Sequence, residues 1–275
     1  MHILLTNDDG ILAPGLAAMY RELTKIGQVT VAAPDTVQSA SAHAITINTA
    51  LTACEVHVHN EFHGWSVAGR PADCVKLAVR ELAKPLPDLV VSGLNDGANV
   101  SINVLYSGTV AAAAEGALLG IPSIAVSMEH GDELDFDRGA TIAREIIERC
   151  VAQGLKPGRL LNVNIPDLTP GRPLGVKLVP QATQTFEDYY EKHDGPDGAV
   201  QYWLKGIFNK PGEVAGTDMR AIWDGYVSVT PLHFDLTDRR TLDDLAGWSW
   251  PTFDGHSALG SATAPGSSTG RTQRR

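Results

Sequence analysis

Short apolar runs alternate with stretches of helical periodicity along the first two thirds of the chain. The runs are nearly continuous in apolar character, which is typical of strands buried on both faces of a parallel sheet. We predict such strands at residues 2–6, 29–33, 88–92, 123–127 and 160–165. The segments between them carry an apolar residue every three or four positions, which predicts helices at residues 16–26, 72–83, 110–119 and 142–151.

This alternation predicts an α/β fold with a mostly parallel sheet and helices on both of its faces. Right-handed crossovers connect consecutive strands in such sheets, so that the strands point the same way. Ligands then bind beyond the carboxyl ends of the strands, where the loops converge.

The pattern changes after residue 175, where the helical period stops. Aromatic residues are interleaved there with Gly, Pro and Asp, namely Phe186, Tyr189, Tyr190, Tyr202, Trp203 and Phe208. We predict a β-hairpin arm at about residues 180–225, which either contacts another subunit or covers the active site. A strand at residues 227–232 and a short helix at residues 242–248 complete a single domain over residues 1–254.

The end of the chain, residues 255–275, consists mainly of Gly, Ser, Ala and Thr with a basic terminus. Such a segment cannot bury enough apolar surface to offset its chain entropy, and we expect it to be disordered.

The composition narrows the class of function. With 22 Lys and Arg against 32 Asp and Glu, the net charge of −10 opposes binding to long nucleic acids. It does not oppose a small phosphorylated ligand that binds through a cation. No apolar stretch reaches the roughly 20 residues that a membrane-spanning helix needs, and the N-terminus lacks the basic start of a signal peptide. The three cysteines are widely scattered, as expected for reduced thiols in a cytoplasmic protein.

Candidate chemistry begins in the loop after the first strand, where Asn7, Asp8, Asp9 and Gly10 follow one another. Adjacent carboxylates repel each other unless a proton or a cation relieves the repulsion. Their hard oxygen ligands suit Mg²⁺ or Mn²⁺. The alternative is an Asx turn without a metal, since Asn and Asp are common turn residues.

Two further loops follow predicted strands. The first contains Ser39, and by itself it favours an ordinary surface connection. The second contains Asn95 and Asn99 and leads to Ser107-Gly108-Thr109, where an alanine-rich helix begins. A helix N-terminus favours phosphate because its free amides and dipole are positive, although Ser107 or Thr109 is equally suited to be a simple N-cap.

Several ordered segments together resemble the SurE (survival protein E) family of 5′/3′-nucleotidases. The segments are Ile3–Gly10, Ala33–Asp35 with Gln38-Ser39, Asp73-Cys74-Val75, Val91–Asn95 with Gly97 and Asn99, and Tyr106–Ala112 with Glu115-Gly116. The similarity is close over about residues 1–130 and weaker to about residue 235. The loop at residues 40–44, together with Ser101 and Asn103, departs from the common family pattern, as do the region 186–210 and the tail.

The resemblance implies a Rossmann-like, SurE-like core and a metal-dependent phosphatase of nucleoside 5′- and 3′-monophosphates. One divalent ion per subunit would be held by Asp8, Asp9, Ser39 and Asn95. The substrate phosphate would lie near Asn7, Asn99, Ser107, Gly108 and Thr109. The family assembles into homodimers or homotetramers through C-terminal arms.

The mechanism and some rivals stay open at this point. Asp8 and Asp9 are the candidate catalytic residues, with either water or Asp9 as nucleophile. His43 and His130 are candidate general acids, and His57 with His59 could form a transition-metal pair or an exposed strand face. Two alternative functions stay open, namely a non-catalytic nucleotide sensor and a structural protein that interacts with partners through the arm and the tail. A dinucleotide-dependent oxidoreductase is disfavoured because no G-x-G-x-x-G follows the first strand.

Overall fold

The computed structural model describes residues 1–58, 60–131, 134–183, 187–207 and 215–251. Residues 1–234 form one compact unit, and a second unit begins at Asp235. The predicted single domain through residue 254 therefore stays a prediction, and the expected disorder of residues 255–275 lies outside the described residues. Phe186, Phe208 and His59 also lie outside them.

The first unit is built on a nine-stranded sheet in the order β3-β4-β2-β1-β5-β6-β7-β11-β8. Its strands, together with the two of the hairpin arm, are β1 (His2–Thr6), β2 (Gln28–Pro34), β3 (Ala53–Val58), β4 (Phe62–Val67), β5 (Leu89–Asp96), β6 (Ser123–Met128), β7 (Leu160–Ile165), β8 (Val176–Leu178), β9 (Glu187–Asp194), β10 (Val200–Ile207) and β11 (Val227–Leu232). The neighbours from β4 through β7 are parallel, whereas β3 pairs antiparallel with β4 and β11 with β7. The predicted α/β class is confirmed.

The helices are α1 (Pro14–Leu23), α2 (Pro71–Leu77), α3 (Gly108–Leu118), α4 (Phe136–Ala152), α5 (Asp218–Trp223) and, in the second unit, α6 (Arg239–Ala246). A π-helical turn continues α2 over Ala78–Leu82. The predicted helices and strands are all present, with bounds that differ by a few residues. The exposed strand face considered for His57 corresponds to β3, whereas β4, β8 and α5 were not predicted. Among the described residues, no helix has both the length and the apolar character needed to cross a membrane.

Alternation along β1 explains why both faces of the sheet are covered. Ile3 and Leu5 belong to one core cluster, with residues of α1 and α4, while Leu4 belongs to another on the side of α2 and α3. All three side chains are fully buried. Burial of a side chain of this size stabilises the fold by about 1.5–3 kcal/mol. A one-residue shift of β1 would turn each of these side chains toward the opposite face of the sheet and lose its packing there.

The central strands bring the candidate loops together. β1 lies between β2 and β5, and all three run parallel. The loops after these strands therefore leave the sheet at the same edge. These loops carry Asp8 and Asp9, Ser39, and Asn99 through Ser107, and Asn95 is the next-to-last residue of β5 itself.

The predicted arm is present as the antiparallel pair β9–β10. Its base is tied to the loop after β5 through Asp218, the fully buried first residue of α5. The Asp218 carboxylate accepts hydrogen bonds from the backbone amides of Ser101 at 3.0 Å, Ala182 at 2.8 Å and Met219 at 2.8 Å. Burial raises the pKa of this carboxyl, and the amide bonds oppose that rise.

We expect Asp218→Ala to lower the free energy of unfolding by at least about 2 kcal/mol, because it leaves buried amides without an acceptor. Urea denaturation measures this change. Asp224→Ala, directly after the same helix, is the matched control, since Asp224 makes only partly exposed ion pairs with Arg220 and Lys177. Equal stability losses in the two variants would contradict the role assigned to Asp218.

Candidate active site

A cavity of about 690 Å³ opens at the carboxyl ends of β1 and β5. It brings together most of the residues singled out in the sequence: Asp8, Asp9, Ser39, Asn95, Asn99 and Ser107. Asn7, Gly108 and Thr109 are not among its lining residues. The convergence expected at this edge of the sheet is therefore present for six of the nine candidates.

Asp8 is buried at the floor of the cavity, against the start of α3. Its Oδ1 accepts a hydrogen bond from the hydroxyl of Thr109. Burial raises the pKa of Asp8, while this bond and those from the backbone amides of Thr109 and Gly108 counteract the rise. The helix N-terminus thus stabilises the Asp8 carboxylate, which is the same preference for anions that would favour phosphate.

Glycine is required at the first position of α3. A Cβ atom on Gly108 would lie 2.8 Å from Asp8 Oδ2 and 2.9 Å from Ser41 Oγ. Gly108 therefore allows the helix start to approach the carboxylate, which gives it a packing role in place of direct contact with the cavity.

The pKa of Asp9 is raised to about 6, first by burial and then by the charge of Asp8. The charge of Asp96 acts in the same direction. A divalent cation between Asp8 and Asp9 would offset this repulsion and lower the pKa of both groups. The electrostatics of the pair therefore fit a bound cation.

Neutral oxygen donors complete a possible ligand set. The Asn95 Nδ2 donates to the carbonyl oxygen of Gly97 at 2.6 Å, which leaves the Asn95 Oδ1 available as a ligand. Ser39 lies on the loop after β2, which is held to the first loop by a bond from the Gln38 amide to the Asp8 carbonyl at 2.7 Å. Two carboxylates with amide and hydroxyl oxygens suit a hard ion such as Mg²⁺ or Mn²⁺.

The charge balance of the cavity also favours a cation. Its described lining residues include the carboxylates of Asp8, Asp9, Asp96 and Asp188 against the single ammonium of Lys205. A phosphate dianion would be repelled by this set alone. In the described part of the chain, no cluster of three or more His, Cys, Asp or Glu side chains has a metal-binding arrangement. Any cation here would therefore rely on the Ser and Asn oxygens as well as on the two aspartates.

The remaining candidates have structural roles. Asn7 is fully buried, and its amide group both donates to the Gly10 carbonyl at 2.9 Å and accepts from the Gly10 amide at 3.2 Å. This is the turn geometry considered as an alternative for the loop, and it coexists with the paired carboxylates. Ser107 is the N-cap of α3, because its Oγ accepts from the Val110 amide at 3.1 Å, although it also lines the cavity.

Among the described candidate histidines, none lines the cavity. His43 Nε2 is 3.0 Å from Glu115 Oε2, and the same carboxylate pairs with Lys76. His130 Nδ1 is 2.6 Å from Asp96 Oδ1, at the rim of the cavity. The ring centroids of His57 and His63 are 3.6 Å apart on the β3–β4 hairpin, and the structure does not describe His59.

Sequence reasoning missed a group of buried polar residues behind the cavity. Ser127 on β6, with Asn162 and Asn164 on β7, hydrogen-bonds to Asn99. The available signal was an asparagine at each of two same-face positions in an otherwise apolar strand. It also missed Asp188 and Lys205, which reach the cavity from the base of the arm.

Comparisons with known proteins agree with the resemblance seen in the sequence. A family model described as survival protein SurE matches residues 3–188. The 5′-nucleotidase SurE of Heliobacterium modesticaldum is 43% identical over 90% of this chain and 92% of its own length. That of Syntrophobacter fumaroxidans is 45% identical over 90% of this chain and its full length. The crystal structure of the SurE protein from Aquifex aeolicus superposes with a TM-score of 0.78 at 36% identity, covering 89% of this chain and 98% of that one.

We expect Thr109→Val to raise the pKa of Asp8 further in metal-free protein, because it removes a donor that favours the carboxylate. Carbon-detected NMR titration of the side-chain carboxyls measures the shift. Thr230→Val is the matched control, since Thr230 is equally buried and its hydroxyl has no hydrogen-bond partner within the described residues. An unchanged pKa of Asp8 in Thr109→Val would refute the bond.

Proposed function

The chain belongs to the survival protein SurE family, and on this premise we propose that it is a 5′-nucleotidase, a phosphomonoesterase that hydrolyses nucleoside 5′-monophosphates to nucleoside and phosphate. The observation that carries the proposal is the single cavity shared by Asp8, Asp9, Ser39, Asn95, Asn99 and Ser107. Its relatives bear the same enzyme name over 90% of this chain. Nothing in the site or among these relatives favours a non-catalytic nucleotide sensor.

We propose one divalent ion per subunit, held by Asp8, Asp9, Ser39 and Asn95. The support is electrostatic, because burial and the charge of Asp8 raise the pKa of Asp9 and so disfavour a second negative charge there, and the surplus of carboxylates in the cavity opposes an anionic substrate unless a cation is bound. When bound, Mg²⁺ or Mn²⁺ supplies positive charge for phosphoryl oxygens and lowers the pKa of water.

The protein's own residues then divide the remaining tasks. Asn99 and Ser107 bind phosphoryl oxygens and stabilise the charge that grows on them in the transition state. Thr109 and the amides at the start of α3 favour the ionised form of Asp8 and offset part of the rise in its pKa that burial causes. The attacking group is water or the Asp9 carboxylate, in line with the leaving nucleoside.

We further propose that the protein works in the cytoplasm as a homodimer or homotetramer that binds neither membranes nor long nucleic acids. The arm supports this assembly, because Tyr189, Tyr190, Tyr202 and Trp203 are all more than half exposed on it. The base of the same arm lines the cavity through Asp188 and Lys205. Both roles considered for the arm, subunit contact and cover for the site, are therefore compatible with its position.

We expect Asp8→Asn and Asn95→Ala each to lower phosphate release from nucleoside 5′-monophosphates more than about tenfold, since each removes a ligand and transition-state charge stabilisation of this kind contributes at least that much. A colorimetric phosphate assay over the common 5′- and 3′-monophosphates measures the effect. Asp137→Asn and Asn48→Ala are the matched controls, because both of these side chains are exposed and outside the cavity. Near-wild-type turnover in Asp8→Asn and Asn95→Ala would overturn the ligand assignment.

We expect chelation to abolish activity and added Mg²⁺ or Mn²⁺ to restore it. Binding should also raise the Tm by several degrees, because a ligand at a hundred times its Kd stabilises a fold by about 2.7 kcal/mol. Differential scanning fluorimetry of chelated protein measures the shift, which should be absent in Asp9→Asn and intact in the surface variant Glu148→Gln. Activity that survives exhaustive chelation, or an equal Tm shift in Asp9→Asn, would count against the metal.

A further inference from the structure

Three buried side chains converge on Asn99 from the strands behind the cavity. The backbone N–H of Asn99 donates to Asn164 Oδ1 at 2.7 Å. The backbone carbonyl of Asn99 accepts from Asn162 Nδ2 at 2.7 Å and from Asn164 Nδ2 at 3.2 Å. Both β7 asparagines are fully buried. They hold both backbone hydrogen-bonding groups of Asn99, so the backbone at this position has little freedom to move.

The third side chain, Ser127, holds the Asn99 side chain itself. Asn99 Nδ2 donates to Ser127 Oγ at 2.8 Å, and Ser127 is fully buried on β6 beside Asn164. This bond occupies one of the two Nδ2 hydrogens and fixes the plane of the amide. The other Nδ2 hydrogen and the Oδ1 then keep a set direction at the wall of the cavity, where Asn99 lies.

A second buried serine shows what the Ser127 hydroxyl adds. Ser228 on β11 lies directly opposite Asn164 in the sheet, just as Ser127 does on the other side of β7. It is equally buried, but its hydroxyl has no hydrogen-bond partner within the described residues. The two serines therefore share strand position and burial and differ in the contact with Asn99.

We propose that Ser127 is a positioning residue for phosphoryl transfer. It acts by holding the side-chain amide of Asn99 in the orientation that faces the substrate phosphate. The inference rests on the proposed phosphatase function and adds to it a residue that touches neither substrate nor metal. Preorganised donors stabilise a transition state because they do not have to reorient during the reaction, and small misplacements of such groups are costly.

The test compares Ser127→Ala with Ser228→Ala in the full chain, with a nucleoside 5′-monophosphate as substrate. We expect Ser127→Ala to lower kcat/KM about tenfold and Ser228→Ala to leave it within about twofold, by analogy with other losses of orientation. Thermal unfolding of both variants shows whether the fold is retained. Each substitution removes one buried hydroxyl, so a general effect on the sheet would appear in both.

A double-mutant cycle separates positioning from simple structural damage. In an Asn99→Ala background, Ser127→Ala should have no further effect on kcat/KM, because the group it positions is gone. Equal activity of Ser127→Ala and Ser228→Ala would overturn the inference, as would an undiminished effect of Ser127→Ala in the Asn99→Ala background.

Failure of the proposed function gives a different result, namely no phosphate release by the wild-type protein with any divalent ion. The inference is then decided by the affinity for inorganic phosphate, measured by calorimetry. We expect Ser127→Ala to weaken this affinity and Ser228→Ala to leave it unchanged, and equal affinities would refute the positioning role.

Discussion

The repulsion between the neighbouring carboxylates of Asp8 and Asp9 is the constraint on which the rest of the site depends. Both groups lie at the end of a buried central strand, and burial raises the pKa of each. The fold offsets part of this cost for Asp8 through Thr109 and the start of α3. The pKa of Asp9 stays raised, to about 6, and a divalent cation beside the pair would relieve the repulsion. A cation there makes an acidic cavity suitable for a phosphate ester.

The opposite wall of the cavity is organised by buried hydrogen bonds and not by charge. Asn99 is held by side chains from β6 and β7, and Ser101, two residues further on, is held by the carboxylate of Asp218. These contacts come from beneath the loop, where water is excluded and unpaired polar groups are costly. They therefore fix the loop between β5 and α3 in one arrangement. If this wall binds the substrate phosphate, as we propose, it needs little reorganisation when the substrate binds.

The arm contributes residues to the cavity, and the segments at its base are bonded to the loop after β5. Asp218 joins the base of the arm to the loop that contains Asn99, and Lys205 on the arm lines the cavity. The two strands of the arm, β9 and β10, carry exposed aromatic side chains, which suit contacts with another subunit.

The local pattern of residues was enough to predict the central strands, most of the helices and the edge of the sheet at which the acids lie. Apolar runs such as that of β1 dictate burial on both faces, and the adjacent carboxylates after this run made its loop the candidate site, although an Asx turn suited the same residues. Tertiary structure decided the rest. Asn99 meets Ser127 and Asn164 across sequence separations of 28 and 65 residues, and Ser101 meets Asp218 across 117. Gly108, Thr109 and Asn7 serve Asp8 and its loop and do not line the cavity. Hydrophobic periodicity specifies which face of an element is buried, whereas the hydrogen-bond partners of a buried polar group depend on which strands become neighbours and in which register.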